Sequence, residues 1–208
     1  MTVTAAEVQE PVGVIACGAI ARELIALTRF NNWTHLELHC LPAELHNSPE
    51  KIPGCVEEKL LALRDRYRQL FVAYADCGTG GRLDALLGDH GVDRLPGAHC
   101  YDLFAGSAAF DQLMAEEPGT FFLTDFLVRH FERLVIRGLA LDCYPELIAQ
   151  FFGHYRRVLY LAQESNDSLK AQAETCAQQL GLDFEYRFTG YGKLQAALAD
   201  QEVLQWKN

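Results

Sequence analysis

Hydrophobic residues in this chain occur in short continuous runs separated by longer amphipathic segments. A run of roughly four to eight apolar residues bounded by turn residues is typical of a buried strand, and apolar residues spaced three and four apart are typical of a helix facing a core. The short runs predict strands at residues 12–16, 33–40, 69–75, 93–99, 157–161 and 184–188. The amphipathic segments predict helices at residues 19–28, 55–68, 82–90, 101–115, 121–136, 144–152, 168–180 and 192–199.

Strands that alternate with helices along a chain indicate parallel β-α-β units. We therefore predict an α/β fold with a mainly parallel, twisted sheet flanked by helices. One domain over residues 12–208 is expected after a flexible leader at residues 1–11. Two Rossmann-like lobes fit the pattern nearly as well, with residues 12–115 and 150–200 as the lobes and a helical segment at residues 116–149 between them.

Composition narrows the class of partner. The chain has 208 residues, half of them hydrophobic, and 28 acidic residues against 18 Lys and Arg give a formal charge of −10. Because binding to phosphates requires clustered positive charge, no nucleic-acid partner is expected. No apolar stretch approaches the ~20 residues that span a bilayer, and the first ten residues lack the features of a signal peptide. We expect a cytoplasmic protein that does not bind a membrane.

The cysteines carry the main functional signal. There are seven, they form no CxxC pair, and cytosolic thiols stay reduced, so each is expected in a core, a catalytic site or a metal site. Cys17, Cys77 and Cys100 each follow an apolar run that predicts a strand. Ligands of parallel α/β sheets bind beyond the carboxyl ends of the strands, so these thiols are expected to converge. Three thiolates suit zinc with one open position, or an iron–sulfur cluster as the alternative.

Glycines and polar side chains near the same predicted strand ends are further candidates. A glycine-rich turn between strand and helix presents backbone N–H groups to an anion, and a cysteine at such a helix start is expected to have a depressed pKa. The predicted cofactor-binding residues are Gly18, Gly78, Thr79, Gly80 and Gly81. The predicted candidates for a further ligand, a second-shell role or acid/base catalysis are His46, His99 and Asp125, and the fourth metal ligand is expected to be solvent, His46 or a substrate atom.

Several of these elements together resemble a known family. They are the Cys17-Gly18 pair, the loop at residues 45–49, the DCGTGG run at residues 76–81, the HCY run at residues 99–101 and the segment at residues 118–125. The chain resembles the uncharacterised prokaryotic family called domain of unknown function 1638 over about residues 12–200. The resemblance implies little about activity. Because members are often seen beside genes of corrinoid-dependent methyl transfer, it implies a corrinoid protein as a partner.

The leading hypothesis is a metal-dependent enzyme, a transferase or lyase, or an accessory factor that acts on a small molecule. Two alternatives belong to other classes. In a non-catalytic binding protein, the glycine turns at residues 78–81 and 190–192 would hold a small anionic ligand and the thiols would only pack. In a nucleophilic-cysteine enzyme, His99 would activate Cys77.

Overall fold

The computed structural model describes residues 10–201 and 204, and within them the strands form two parallel sheets flanked by helices. The strands are β1 (Val12–Cys17), β2 (Leu36–Leu41), β3 (Gln69–Ala73), β4 (Asp93–Arg94), β5 (Thr120–Leu123), β6 (Arg157–Ala162) and β7 (Asp183–Phe188). The α-helices are α1 (Ala21–Phe30), α2 (Ile52–Leu63), α3 (Arg82–His90), α4 (Cys100–Ala105), α5 (Ser107–Glu116), α6 (Asp125–Arg129), α7 (Leu147–Phe152), α8 (Asp167–Leu180) and α9 (Leu194–Ala199). Short 3-10 segments lie at Gly18–Ile20, Ala43–Asn47 and Pro49–Lys51, and a π-helical turn at Glu132–Ile136.

The first sheet has the strand order β2-β1-β3-β4 with every pair parallel. Its central strand β1 is buried along its whole length, which explains why its sequence is apolar without alternation. The chain moves from β1 to β2 on one side and then returns to place β3 on the other side of β1. The order of the strands therefore reverses between β1 and β3, and ligands of open α/β sheets bind at the carboxyl ends of such a pair.

The second sheet has the order β5-β6-β7, again parallel, and packs against α6 and α8 on one face. Residues of the opposite face, Leu159 and Leu161, pack with Leu113 of α5. After β7 the chain returns to the first sheet, where Leu194 and Leu198 of α9 are buried in the first core. The described chain thus contains two sheet-and-helix halves, and its last helix belongs to the first of them.

The predicted fold class is confirmed, and three of its details are wrong. Residues 120–123 form β5 rather than the start of a helix, so segment 116–149 is not wholly helical and the single-sheet arrangement gives way to two sheets. The strand predicted at residues 93–99 is only two residues long. The helix predicted at residues 101–115 is divided at Gly106, whose φ of 84° is in the left-handed region. The leader predicted at residues 1–11 falls almost entirely outside the described residues.

Candidate functional site

The three predicted thiols lie at one edge of the first sheet. Cys17 is the last residue of β1, Cys77 follows β3, and Cys100 is the first residue of α4. The loop that carries Cys77 is joined to the segment before Cys100, because the Cys77 N–H donates to the Ala98 carbonyl at 2.8 Å. Since β1 and β3 are the strands between which the order reverses, Cys17 and Cys77 occupy the usual position of a ligand site in this kind of sheet.

The thiols are close enough to affect one another's ionisation. Burial raises the pKa of Cys17 to about 12, and the neighbouring Cys77 contributes to the increase. The pKa of Cys100 is raised well above its usual value by burial first and then by Cys77 and Cys17. Burial also raises the pKa of Cys77 to about 11. The expectation of a depressed pKa at Cys77 is therefore wrong, because desolvation outweighs the backbone N–H groups that favour the thiolate.

His46 is oriented towards this cluster. Its Nδ1 lies 2.9 Å from the Ala43 carbonyl oxygen, so Nδ1 carries the proton and Nε2 has a free lone pair. That Nε2 is 3.9 Å from the Cys17 sulfur. Burial lowers the pKa of His46, which keeps the ring neutral. A carbonyl that fixes the tautomer in this way is the usual arrangement behind a metal-binding histidine.

The sequence gives no signal of a functional role for Tyr74, because it lies at the end of an apolar run and resembles a core residue. It is fully buried, and its ring stacks on that of His46 with centroids 6.3 Å apart. Its hydroxyl has no hydrogen-bond partner of standard geometry among the described residues, yet it is near enough to lower the pKa of Cys17. The Ala19 N–H also approaches the Cys17 sulfur, at 3.3 Å. Two donors are thus placed where a thiolate would accept them.

Cys77 adopts an unusual backbone conformation. Its φ of 50° lies in the left-handed region, and Gly78 follows with a φ of 83°. For a residue with a side chain this conformation costs roughly 1–2 kcal/mol. Strain of this kind concentrates at functional sites, where the surrounding structure holds it in place. The strained turn connects β3 to α3, and it places the Cys77 N–H against the Ala98 carbonyl, next to Cys100.

The glycine-rich turn after Cys77 is occupied by a side chain of its own. The Gly80 and Gly81 N–H groups donate to the Asp76 carboxylate at 3.1 and 2.9 Å, and the Thr79 hydroxyl donates to it as well. These donors lower the pKa of Asp76 against the effect of its burial. A carboxylate of the chain therefore fills the position in which an external anion was expected. Gly18 has a packing role, since a Cβ there would lie 2.9 Å from the Leu41 carbonyl oxygen.

Of the other two acid/base candidates, His99 directly precedes Cys100, and Asp125 belongs to the second half. His99 is exposed and its ring is 6.2 Å from that of Tyr101. Asp125 is buried at the start of α6, where its carboxylate accepts the Tyr160 hydroxyl at 2.7 Å and the N–H groups of Gln163 and Glu164 at 2.9 Å. Asp125 thus joins the ends of β5 and β6, and its position indicates a structural role in the second half.

A cavity of about 230 Å³ lies next to the thiols, between the two halves. His46 and Cys100 line it from the first half, and Thr124, Phe126, Leu127 and Leu134 are among its lining residues from the second. No Asp, Glu, Lys or Arg is among the lining residues. The halves are held together beside it by the Asn47 amide, which donates to the Leu134 carbonyl at 3.1 Å, and by the ion pair of Arg133 with Glu44 at 3.4 Å.

The described residues contain no group of three or more His, Cys, Asp or Glu side chains already arranged to hold a metal ion. The chemistry of the donors nevertheless suits zinc, with three thiols and a neutral imidazole. A tetrahedral Zn²⁺ with a Zn–S bond of about 2.3 Å and a Zn–N bond of about 2.1 Å separates the two ligand atoms by roughly 3.6 Å. The observed 3.9 Å between Cys17 and His46 is close to that separation.

Comparison with known proteins gives one match. A family model described as a protein of unknown function, DUF1638, matches residues 40–198. Cys77, Cys100 and His46 lie within the matched region, and Cys17 precedes it. No curated protein and no solved structure matches the chain. Among the described residues, no helix has the length and apolar character needed to cross a membrane.

Proposed function

The chain belongs to the DUF1638 family, and from the geometry of its thiols we propose that it binds a soft metal ion through Cys17, Cys77 and Cys100. His46 is the fourth protein ligand, or it yields that position to a substrate atom. Zinc is the first choice of metal and an iron–sulfur cluster is the second. The observation that carries the proposal is the electrostatic interaction of Cys17 with Cys77, and of Cys100 with both, at the point where the strand order reverses.

Metal binding would satisfy groups that are poorly satisfied in the protein alone. The three thiols have raised pKa values and hold their protons, and a metal would replace those protons and neutralise the resulting thiolates. The Tyr74 hydroxyl and the Ala19 N–H would then donate to the Cys17 thiolate. The carbonyl of Ala43 already holds the imidazole of His46 in the tautomer that ligation requires.

The neighbouring cavity supports an action on a small molecule. Cys100 and His46 belong both to the proposed metal site and to the cavity wall, so a molecule bound there would be next to the metal. Because no charged side chain lines the cavity, its occupant is uncharged and largely apolar where it contacts the protein. A bound metal would supply Lewis-acid activation of such a substrate. Transferase or lyase activity and a corrinoid protein as partner stay predictions.

Binding of a small anion at the turn of residues 78–81 is the less favoured function. The N–H groups that would bind the anion already donate to Asp76, and an external anion would have to displace that carboxylate. Activation of Cys77 by His99 is also disfavoured, because the pKa of Cys77 is raised to about 11 by burial while His99 is exposed.

The metal content of the purified protein tests the proposal. We expect about one zinc per chain, or iron with sulfide and a brown colour for a cluster, and a sharply reduced metal content in the purified Cys77→Ser variant. Cys176→Ser is the matched control, because Cys176 is also a buried thiol but packs in the core of the second half. Wild-type protein that stays metal-free after incubation with zinc, or with iron and sulfide under reducing conditions, would overturn the proposal. Equal metal contents in the two variants would do the same.

A further inference from the structure

Strand β7 leaves one edge of the second sheet open. Among the described residues it pairs only with β6, and residues 183 and 185–188 are exposed. Proteins usually protect an exposed edge with a charged side chain, above all lysine, or with a proline, a bulge or a covering element. Asp183–Phe188 contains neither proline nor lysine, and its three charged residues, of both signs, alternate with three aromatic ones. An edge of this kind is suited to pairing with another strand.

The backbone groups available at this edge follow from the existing hydrogen bonds. The Asp183 N–H donates to the carbonyl of Arg156, directly before β6, and the Thr189 N–H donates to that of Ala162, the last residue of β6. Because backbone direction alternates along a strand, Phe184, Tyr186 and Phe188 direct their N–H and C=O groups away from β6. Three residues therefore present both a donor and an acceptor to the open side.

The side chains of β7 are self-complementary in one antiparallel arrangement. If Tyr186 lies opposite Tyr186 of a second copy, Phe184 lies opposite Phe188 and Glu185 lies opposite Arg187. The Tyr186–Tyr186 and Phe184–Phe188 pairs are then hydrogen-bonded pairs. Glu185 and Arg187 meet at the non-hydrogen-bonded positions, where side chains are closest. Shifting the centre to Glu185 would instead place the two Glu185 carboxylates opposite each other. The charges thus favour the register centred on Tyr186.

We propose that the chain forms a symmetric dimer by antiparallel pairing of β7 with β7 of a second copy, which joins the two three-stranded sheets into one. Arg187 is exposed and has no ion-pair partner among the described residues, so it is available to the second copy. Glu185 already binds Arg157 at 2.9 Å, which fixes its carboxylate next to the edge. This dimer is independent of the metal site, which lies in the other half.

Sedimentation velocity of the full chain at micromolar concentration tests the dimer. The wild type is expected at twice the 23.3 kDa chain mass, and Arg187→Glu at the mass of one chain, because Glu185 then faces a glutamate. Arg29→Glu makes the same charge change at an exposed position of α1 and should remain dimeric. Circular dichroism should show that each variant keeps its secondary structure.

A charge exchange tests the register. Glu185→Arg alone should also be monomeric, since two arginines then meet. An equimolar mixture of Arg187→Glu with Glu185→Arg should recover the dimer, because each acidic edge meets a basic one. A monomeric wild type, or an Arg187→Glu variant that stays dimeric, would overturn the proposal. Failure of the mixture to recover the dimer would reject the register centred on Tyr186.

Discussion

Zinc binding should release a number of protons that depends on the raised pKa values of the thiols. Cys17 and Cys77, with pKa values of about 12 and 11, and Cys100, also well above its usual value, are all protonated between about pH 7 and 8.5. His46 is neutral there, because its pKa is lowered. Coordination by three thiolates and one neutral imidazole therefore releases about three protons per zinc across this range.

The number of protons released per zinc distinguishes thiols with raised pKa values from ordinary thiols. Ordinary thiols with a pKa of about 8.5 are half ionised at pH 8.5, so three of them would release only about 1.5 protons. Buried thiols still release about three. The apparent association constant should therefore rise about 1,000-fold per pH unit, which corresponds to about 4 kcal/mol.

Calorimetric titration of the apoprotein with zinc in two buffers of different ionisation enthalpy measures this number. Cys77→Ser should lower it from about three to about two where binding is retained, whereas the Cys176→Ser control should leave it at three. A count of 1.5 or fewer in the wild type at pH 8.5 would refute the reasoning from burial. A count that Cys77→Ser leaves unchanged would show that Cys77 is not a ligand.

Three further substitutions test other parts of the structure. Tyr74→Phe should stabilise the metal-free protein by about 1–2 kcal/mol, because it removes a buried hydroxyl that lacks a standard hydrogen bond. It should also weaken zinc binding by roughly 10- to 100-fold. Denaturant unfolding measures the stability and zinc titration the affinity, and a change in stability alone would assign Tyr74 to the core. Asp125→Asn should destabilise the fold by about 2–3 kcal/mol, since the amide cannot accept all three hydrogen bonds. Its zinc content should equal that of the wild type. Unaltered stability would contradict the structural role of Asp125. Burial raises the folded-state pKa of Glu23, so the stability that its protonated form confers is lost as the pH rises through that pKa. The free energy of unfolding of Glu23→Gln should therefore exceed that of the wild type by about 1–2 kcal/mol at neutral pH and by little at acidic pH. Glu58→Gln is the exposed control, and an equal effect of Glu23→Gln at both pH values would refute the reasoning.

The hydrophobic pattern was sufficient to predict most of the fold, because strands and helices alternate strictly in the first half. It failed at β5, because the three apolar residues that follow Thr120 are too few for periodicity to distinguish a strand from the start of a helix. That strand is one of the three strands of the second sheet. Missing it left the choice between one sheet and two open.

The site was predictable only as far as strand ends could be located. Cys17 and Cys77 follow β1 and β3, and the parallel topology brings such ends to one edge. The raised pKa of Cys77 was not predictable, because the sequence does not reveal how deeply the thiol is buried. The same holds for the turn of Gly80 and Gly81, whose N–H groups bind Asp76 rather than a ligand. Tyr74 carried no signal, since a tyrosine at the end of an apolar strand usually packs.

X-ray absorption at the zinc edge, recorded on the zinc-loaded protein, tests the proposed ligand set most directly. Three sulfur atoms at about 2.3 Å and one nitrogen or oxygen at about 2.0–2.1 Å are predicted, with the sulfur count falling to two in Cys77→Ser. A first shell made only of nitrogen and oxygen, or a spectrum that Cys77→Ser leaves unchanged, would contradict the three-thiol site.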